Sequence, residues 1–131
     1  MNLPARCILI DDDPLNNMIA KKILSIITPE SEVVVFQDPN KALAYLQYEL
    51  PIYNKLTAVF LDISMPMLDG FEILQRLEAS GTGHLSHVHI FMLSSTMNHQ
   101  DIQRARNSPI VVQFVEKPLS MDLLRRCFEY M

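Results

Sequence analysis

Five polar side chains stand immediately after apolar runs. Asp11 and Asp12 follow Arg6-Cys7-Ile8-Leu9-Ile10, Asp62 follows Thr57-Ala58-Val59-Phe60-Leu61, Ser94 follows Val88–Leu93, and Lys117 follows Val111–Val115 and Glu116. Short apolar or β-branched runs that end in turn-forming residues read as strands buried on both faces. If the strands are parallel, all five groups share one rim of the sheet, the rim where open α/β sheets bind ligands. Three carboxylates crowded together raise one another's pKa unless a cation intervenes. Oxygen-only ligands suit Mg²⁺, which keeps several waters and uses one or two carboxylates. A lysine opposite adds a positive charge that can pair with Asp62 or with a group attached to it. Such a site gathers negative charge around a carboxylate nucleophile, and phosphoryl transfer is the reaction it suits. Asp62 would attack phosphorus, Mg²⁺ and Lys117 would neutralise the equatorial oxygens, and Ser94 could then donate a hydrogen bond to one of them.

Between the runs the chain reads as helices. Asp13 is placed to cap the first and Pro14 to begin it, while Leu15, Met18, Ile19, Ile23, Ile26 and Ile27 recur at helical spacing as far as Pro29. Glu32 to Phe36 is a further strand. Asp38-Pro39 repeats the cap-plus-proline start, Ala42, Leu43, Leu46 and Leu50 form a buried stripe, and Pro51 ends it. Pro66 and Gly70 put a loop in front of Asp62, and Gly70 opens a third helix with Phe71, Leu74 and Leu77 inward. Asp69 reads as a turn residue and Gly81-Thr82-Gly83-His84 as a loop. A fourth helix, about Asn98 to Arg106, has few apolar anchors (Met97, Ile102, Ala105) and is cut by Asn107-Ser108-Pro109. Ser120 caps the last, with Leu123, Leu124, Cys127, Phe128 and Met131 in a regular stripe. Five strands alternating with five helices imply parallel β-α-β units with right-handed crossovers and helices on both faces.

The 131 residues are expected to form one domain, 1–131, with no output domain after the last helix. No apolar run approaches a membrane span and the first residues lack a signal-peptide layout, so a cytoplasmic location and no membrane partner are expected. The net charge of −4 argues against non-specific nucleic-acid binding. Only three glycines, Gly70, Gly81 and Gly83, make a glycine-rich phosphate cradle or a dinucleotide fingerprint improbable, and no nucleotide cofactor is expected. Cys7 and Cys127 fall at core positions and read as reduced. His87 and His89, with His84 nearby, offer at best a pair of ligands with no nearby cysteine, which argues against zinc. Met65 and Met67 flank Pro66 in what reads as an exposed, adaptable loop.

In order along the chain, Ile8-Leu9-Ile10-Asp11-Asp12-Asp13, Leu61-Asp62-Ile63-Ser64-Met65-Pro66-Met67-Leu68-Asp69-Gly70, Leu93-Ser94-Ser95 and Glu116-Lys117-Pro118 resemble the motifs of response-regulator receiver domains of the chemotaxis-regulator type. The resemblance implies a flavodoxin-like (βα)5 doubly wound fold with a five-stranded parallel sheet in the order 2-1-3-4-5. It implies that Asp62 takes phosphate from a phosphohistidine on a sensor histidine kinase or histidine phosphotransfer protein. Asp12 directly, and Asp11 partly through water, would hold Mg²⁺ together with Asp62 and the Ser64 backbone carbonyl. Ser94 would be the switch hydroxyl and Phe114 the switch aromatic, and Lys117-Pro118 would carry a cis peptide. The chain would catalyse its own aspartyl phosphorylation and dephosphorylation. Phosphorylation would shift the face formed by the fourth helix, fifth strand and fifth helix toward an unnamed downstream partner, with homodimerisation left open. Departures from the family pattern are Arg106-Asn107-Ser108-Pro109-Ile110 where many receivers carry Gly-Ala before the fifth strand, and the missing hydroxyl at Phe114. Ser64 and Thr96, at positions that tune phosphate lifetime in the family, are both small.

Two other readings compete. Phosphatases with an aspartate nucleophile usually place a second Asp two residues later, where this chain has Ser64. A receiver-like module that binds partners without phosphorylation usually lacks the acidic pair or the lysine, and here all are present.

Overall fold

The computed structural model describes residues 3–81 and 85–131; of the loop and histidines discussed above, Thr82, Gly83 and His84 lie outside the described residues. Five strands, β1 (Arg6–Ile10), β2 (Glu32–Phe36), β3 (Thr57–Asp62), β4 (Val88–Ser94) and β5 (Val111–Glu116), alternate with α1 (Pro14–Ile27), α2 (Pro39–Tyr48), α3 (Gly70–Ser80), α4 (His99–Arg106) and α5 (Met121–Glu129). The sheet is parallel throughout in the order β2-β1-β3-β4-β5, as expected. In register, Ile10 lies beside Leu61, Asp62 beside Leu93, and Ser94 beside Glu116, which brings the strand ends to one rim.

Alternation along the strands divides the core. Ile8, Ile10, Val59, Leu61, Ile90 and Met92 face α2 and α3 residues such as Leu43, Leu46, Phe71 and Leu77. Cys7, Leu9, Phe60, Phe91 and Leu93 face Ala20 and Leu24 of α1 and Leu124, Cys127 and Phe128 of α5. Phe60 stacks on Phe91 at 5.4 Å and meets Phe128 edge-on at 6.3 Å. Both cysteines are free and buried, and burial pushes each thiol up to about 12, so neither is a nucleophile at neutral pH.

The helix starts follow the sequence closely. Asp13, Asp38, Asn98 and Ser120 cap α1, α2, α4 and α5 through their side chains. Asp69 is more than a turn residue: with Glu72 it forms a reciprocal capping box at the start of α3. Gly81 ends that helix in the left-handed region, at φ 79°.

The first helix departs from its sequence reading. Its buried residues are Asn17, Ala20 and Leu24, with Ile23 and Ile27 packed alongside, whereas Leu15, Met18, Ile19 and Ile26 are exposed (55, 63, 46 and 58%). An apolar stripe wide enough to wrap much of the helix cannot all face one sheet, and the small Ala20 sits where α1 is buried against the core. The adaptable loop is likewise half of what was expected: Met67 is 75% exposed, but Met65 is buried against the α3 side of the core.

Candidate functional site

The rim gathers four of the expected groups. Carboxylate oxygens of Asp11, Asp12 and Asp62 lie within 4.8 Å of one another, with Asp11 and Asp62 buried and Asp12 exposed. The Lys117 Nζ bridges the two buried acids, 2.7 Å from Asp11 Oδ2 and 3.2 Å from Asp62 Oδ1. The sequence reading paired the lysine with Asp62; the structure gives it two partners, of which Asp11 is the nearer. The peptide bond that follows, Lys117-Pro118, is cis.

Local hydrogen bonding explains the placement. The Lys117 amide donates to the Ser94 carbonyl (2.8 Å), extending the β4–β5 ladder to the point where the lysine leaves the sheet. Beyond Asp62, the Ile63 amide donates to Leu93 and the Gly70 amide donates back to Ile63, both at 2.9 Å, so the loop folds over the tip of β3. Gly70 has no room for a side chain: a Cβ there would stand 2.5 Å from the Asp62 carbonyl oxygen. Inside this fold-over the Ser64 backbone amide favours the charged Asp62 carboxylate, and Ser64 itself is exposed at the entrance.

One ammonium does not balance three acids. Burial, and then the charge of Asp11, push the Asp62 carboxyl up to about 6; Lys117 and the Ser64 amide pull the other way without prevailing. Burial by itself would lower Lys117, but hydrogen bonding to Asp11 and the charges of Asp62 and Asp11 outweigh it and raise the ammonium. The site is therefore short of positive charge. An oxygen-only donor set with one exposed member fits a hard divalent cation such as Mg²⁺, which binds by carboxylates and retained waters.

Ser94 is buried at the neighbouring strand tip, but its hydroxyl is engaged elsewhere. It donates to the Thr96 carbonyl (2.6 Å) and accepts from the Thr96 amide (3.1 Å), a local turn that occupies it. Phe114 lies beside Met92 in the β4–β5 register and is half-buried. It lines two open surface grooves on the face formed by α4, β5 and α5, with no residue of the acidic cluster in either lining. His87 approaches the Leu50 carbonyl (3.3 Å) at the opposite end of β4.

Two residues of the site were not singled out from the sequence. The Asn17 Nδ2 donates to the Asp11 carbonyl (2.7 Å) and the Asn16 Nδ2 to Asp11 Oδ2 (3.3 Å). A signal existed, since Asn17 shares helical phase with Ala20 and Leu24, but it is usable only once the buried face of α1 is known.

Among known proteins, the family model for the response regulator receiver domain matches residues 7–129. The stress response regulator protein 1 of Meyerozyma guilliermondii is 37% identical over 75 residues, 57% of this chain and 33% of that protein. The response regulator Rcp1 of Synechocystis sp. is 23% identical over 103 residues, 77% of this chain and 69% of that protein. This chain thus spans about a third of the length of the fungal relative. The crystal structure of a two-component response regulator from Cytophaga hutchinsonii superposes with a TM-score of 0.86 at 24% identity, covering 98% of this chain and 96% of that one. With the parallel 2-1-3-4-5 sheet and an acidic cluster and lysine meeting at its rim, the chain belongs to the response regulator receiver domain family.

Proposed function

We propose that this domain, residues 1–131, accepts a phosphoryl group on Asp62 from a phosphohistidine donor, a sensor histidine kinase or histidine phosphotransfer protein. The observation that carries the reading is Lys117 lying between Asp11 and Asp62 beside a third acid, an arrangement built for charge neutralisation. Asp11, Asp12 and Asp62, with the Ser64 carbonyl, would hold Mg²⁺. When bound, the ion supplies charge that lowers the Asp62 pKa and offsets the phosphoryl oxygens.

Ionised Asp62 is the nucleophile: its oxygen bonds to phosphorus as the P–N bond of the donor breaks, the electron pair leaving with the imidazole nitrogen. Lys117 then exchanges contact with Asp62 for contact with a phosphoryl oxygen. The modification adds about −1.5 to −2 of charge. That charge competes with the Thr96 carbonyl for the Ser94 hydroxyl, whose turning inward opens space for Phe114. The readout is the α4-β5-α5 face, presented to a downstream protein or to a second copy of the chain. The exposed Leu15, Met18 and Ile19 lie on α1, the helix that follows Asp11 and Asp12, and Ile19 lines a cavity with Asp11 and Lys117; they offer an apolar surface to the donor. No described helix is long and apolar enough to cross a membrane, and a cytoplasmic setting suits the proposed partners.

The test is intact-mass measurement after incubation with acetyl phosphate and Mg²⁺. The wild type should gain one phosphoryl group and Asp62→Asn none. No gain in the wild type would instead favour a module that binds partners without phosphorylation, a reading that the complete set of acids and lysine counts against.

A further inference from the structure

Asp11 stands one residue past β1, where its backbone leaves the sheet. Its amide still donates to the Phe36 carbonyl of β2 (3.1 Å), but the β1–β3 pairing has ended at Ile10 and Leu61. The Asp11 carbonyl is satisfied from the helix that follows. Asn17, 4% exposed on the face of α1 that also buries Ala20 and Leu24, donates its amide to that carbonyl at 2.7 Å. A buried amide is tolerated only when it is bonded, so Asn17 occupies a core-facing position on the strength of this contact. The Asp11 side chain is braced as well. Oδ1 accepts from the Asp13 amide (2.9 Å), and Oδ2 accepts from Asn16 (3.3 Å) and faces the Lys117 ammonium (2.7 Å).

We propose that Asn16 and Asn17 are positioning residues for the acidic site. Asn17 fixes the main chain at Asp11, and through it the turn that presents Asp12; Asn16 fixes the orientation of the Asp11 carboxylate. Neither would touch the cation or the phosphoryl group; both act through Asp11. Groups that orient a metal-binding carboxylate typically change metal affinity by roughly 10- to 100-fold when removed. The proposal rests on the phosphoacceptor reading above and extends it to residues outside the acidic cluster.

The experiment compares Mg²⁺ affinity by isothermal titration calorimetry in the 131-residue wild-type chain, Asn17→Leu, Asn16→Ala and Leu24→Ala. Leu keeps the four-atom branched shape of the Asn17 side chain, though it is bulkier, and removes its donor. Leu24→Ala perturbs the same helix face two turns away and is the control for destabilisation alone. Both asparagine variants should bind Mg²⁺ at least about 10-fold more weakly, while Leu24→Ala loses stability in urea but keeps wild-type Mg²⁺ affinity. In acetyl phosphate labelling, the Mg²⁺ concentration for half-maximal rate should rise in both, and saturating Mg²⁺ should restore most of the rate. Folded variants with wild-type Mg²⁺ affinity overturn the proposal, as does an equal loss of affinity in Leu24→Ala. Should Asn17→Leu fail to fold, Asn16→Ala, at a partly exposed position, decides by the same criterion. A wild type that neither binds Mg²⁺ nor takes phosphate overturns the phosphoacceptor reading itself. A competent wild type with unchanged asparagine variants overturns only the positioning role.

Discussion

Without a cation, ionised Asp62 works against folding, and Asp62→Asn should reveal by how much. Its carboxyl is pushed up to about 6, by burial first and by Asp11 second, from an ordinary 3.8. A folded-state pKa above the unfolded one means that the folded protein holds the proton more tightly. The penalty for ionising Asp62 is therefore fully present above about 6, shrinks as the pH falls through that value, and is gone below the unfolded value. The gap between about 6 and 3.8 sets a ceiling of about 3 kcal/mol at roughly 1.4 kcal/mol per pH unit, which solvent at the open rim and the shared charge of Asp11 and Lys117 lower. Asparagine resembles the protonated acid in shape and charge. At pH 8 in EDTA, Asp62→Asn should thus be more stable than wild type by about 1–3 kcal/mol, a rise in Tm of roughly 4–12 °C for a domain of this size. Urea unfolding followed by far-ultraviolet circular dichroism suits the chain, which has no tryptophan. Titrating groups away from the rim are common to both proteins and cancel in the difference; Lys117, which Asp62 raises, does not. The advantage should fade between pH 6 and pH 4, and saturating Mg²⁺ should favour the wild type, which keeps the extra ligand. An Asp62→Asn protein no more stable than wild type at pH 8 without metal, or an advantage independent of pH, would refute the electrostatic account of the site.

Removing the ammonium should act in the opposite direction. Lys117→Met leaves Asp11 and Asp62 facing each other without a cation, and should cost about 3 kcal/mol at pH 8 in EDTA. That loss should shrink toward pH 4 as Asp62 takes up a proton; an equal loss at both pH values in urea titrations would mean that the lysine matters through packing. Gly70→Ala places a Cβ 2.5 Å from the Asp62 carbonyl and 3.0 Å from the Ile63 Cα, backbone atoms that cannot step aside cheaply. It should lose roughly 1–3 kcal/mol in urea unfolding and label more slowly with acetyl phosphate; wild-type stability would show that the turn relaxes freely.

Much of the molecule was legible along the chain. Strands were marked by short apolar runs ending in polar residues, and helix starts by Asp13-Pro14, Asp38-Pro39 and Ser120, because capping and strand burial are local requirements that each segment must meet in its own residues. Once the strands are parallel, their C-terminal residues must share a rim, so Asp11, Asp12, Asp62, Ser94 and Lys117 could be grouped by position alone. The rotation of α1 could not be read this way. With apolar residues around much of the helix, spacing does not say which will be covered, and packing against the sheet chose Asn17, Ala20 and Leu24 over Leu15, Met18 and Ile19. The same holds for Met65, drawn under its loop, and for the Ser94 hydroxyl, held by Thr96. Which acid the lysine approaches more closely is likewise a matter of ångströms between strands β1, β3 and β5, set by how the sheet is assembled. Residue type and order determined which groups reach the rim; side-chain direction, and with it the division of charge among Asp11, Asp62 and Lys117, was decided only when distant segments met.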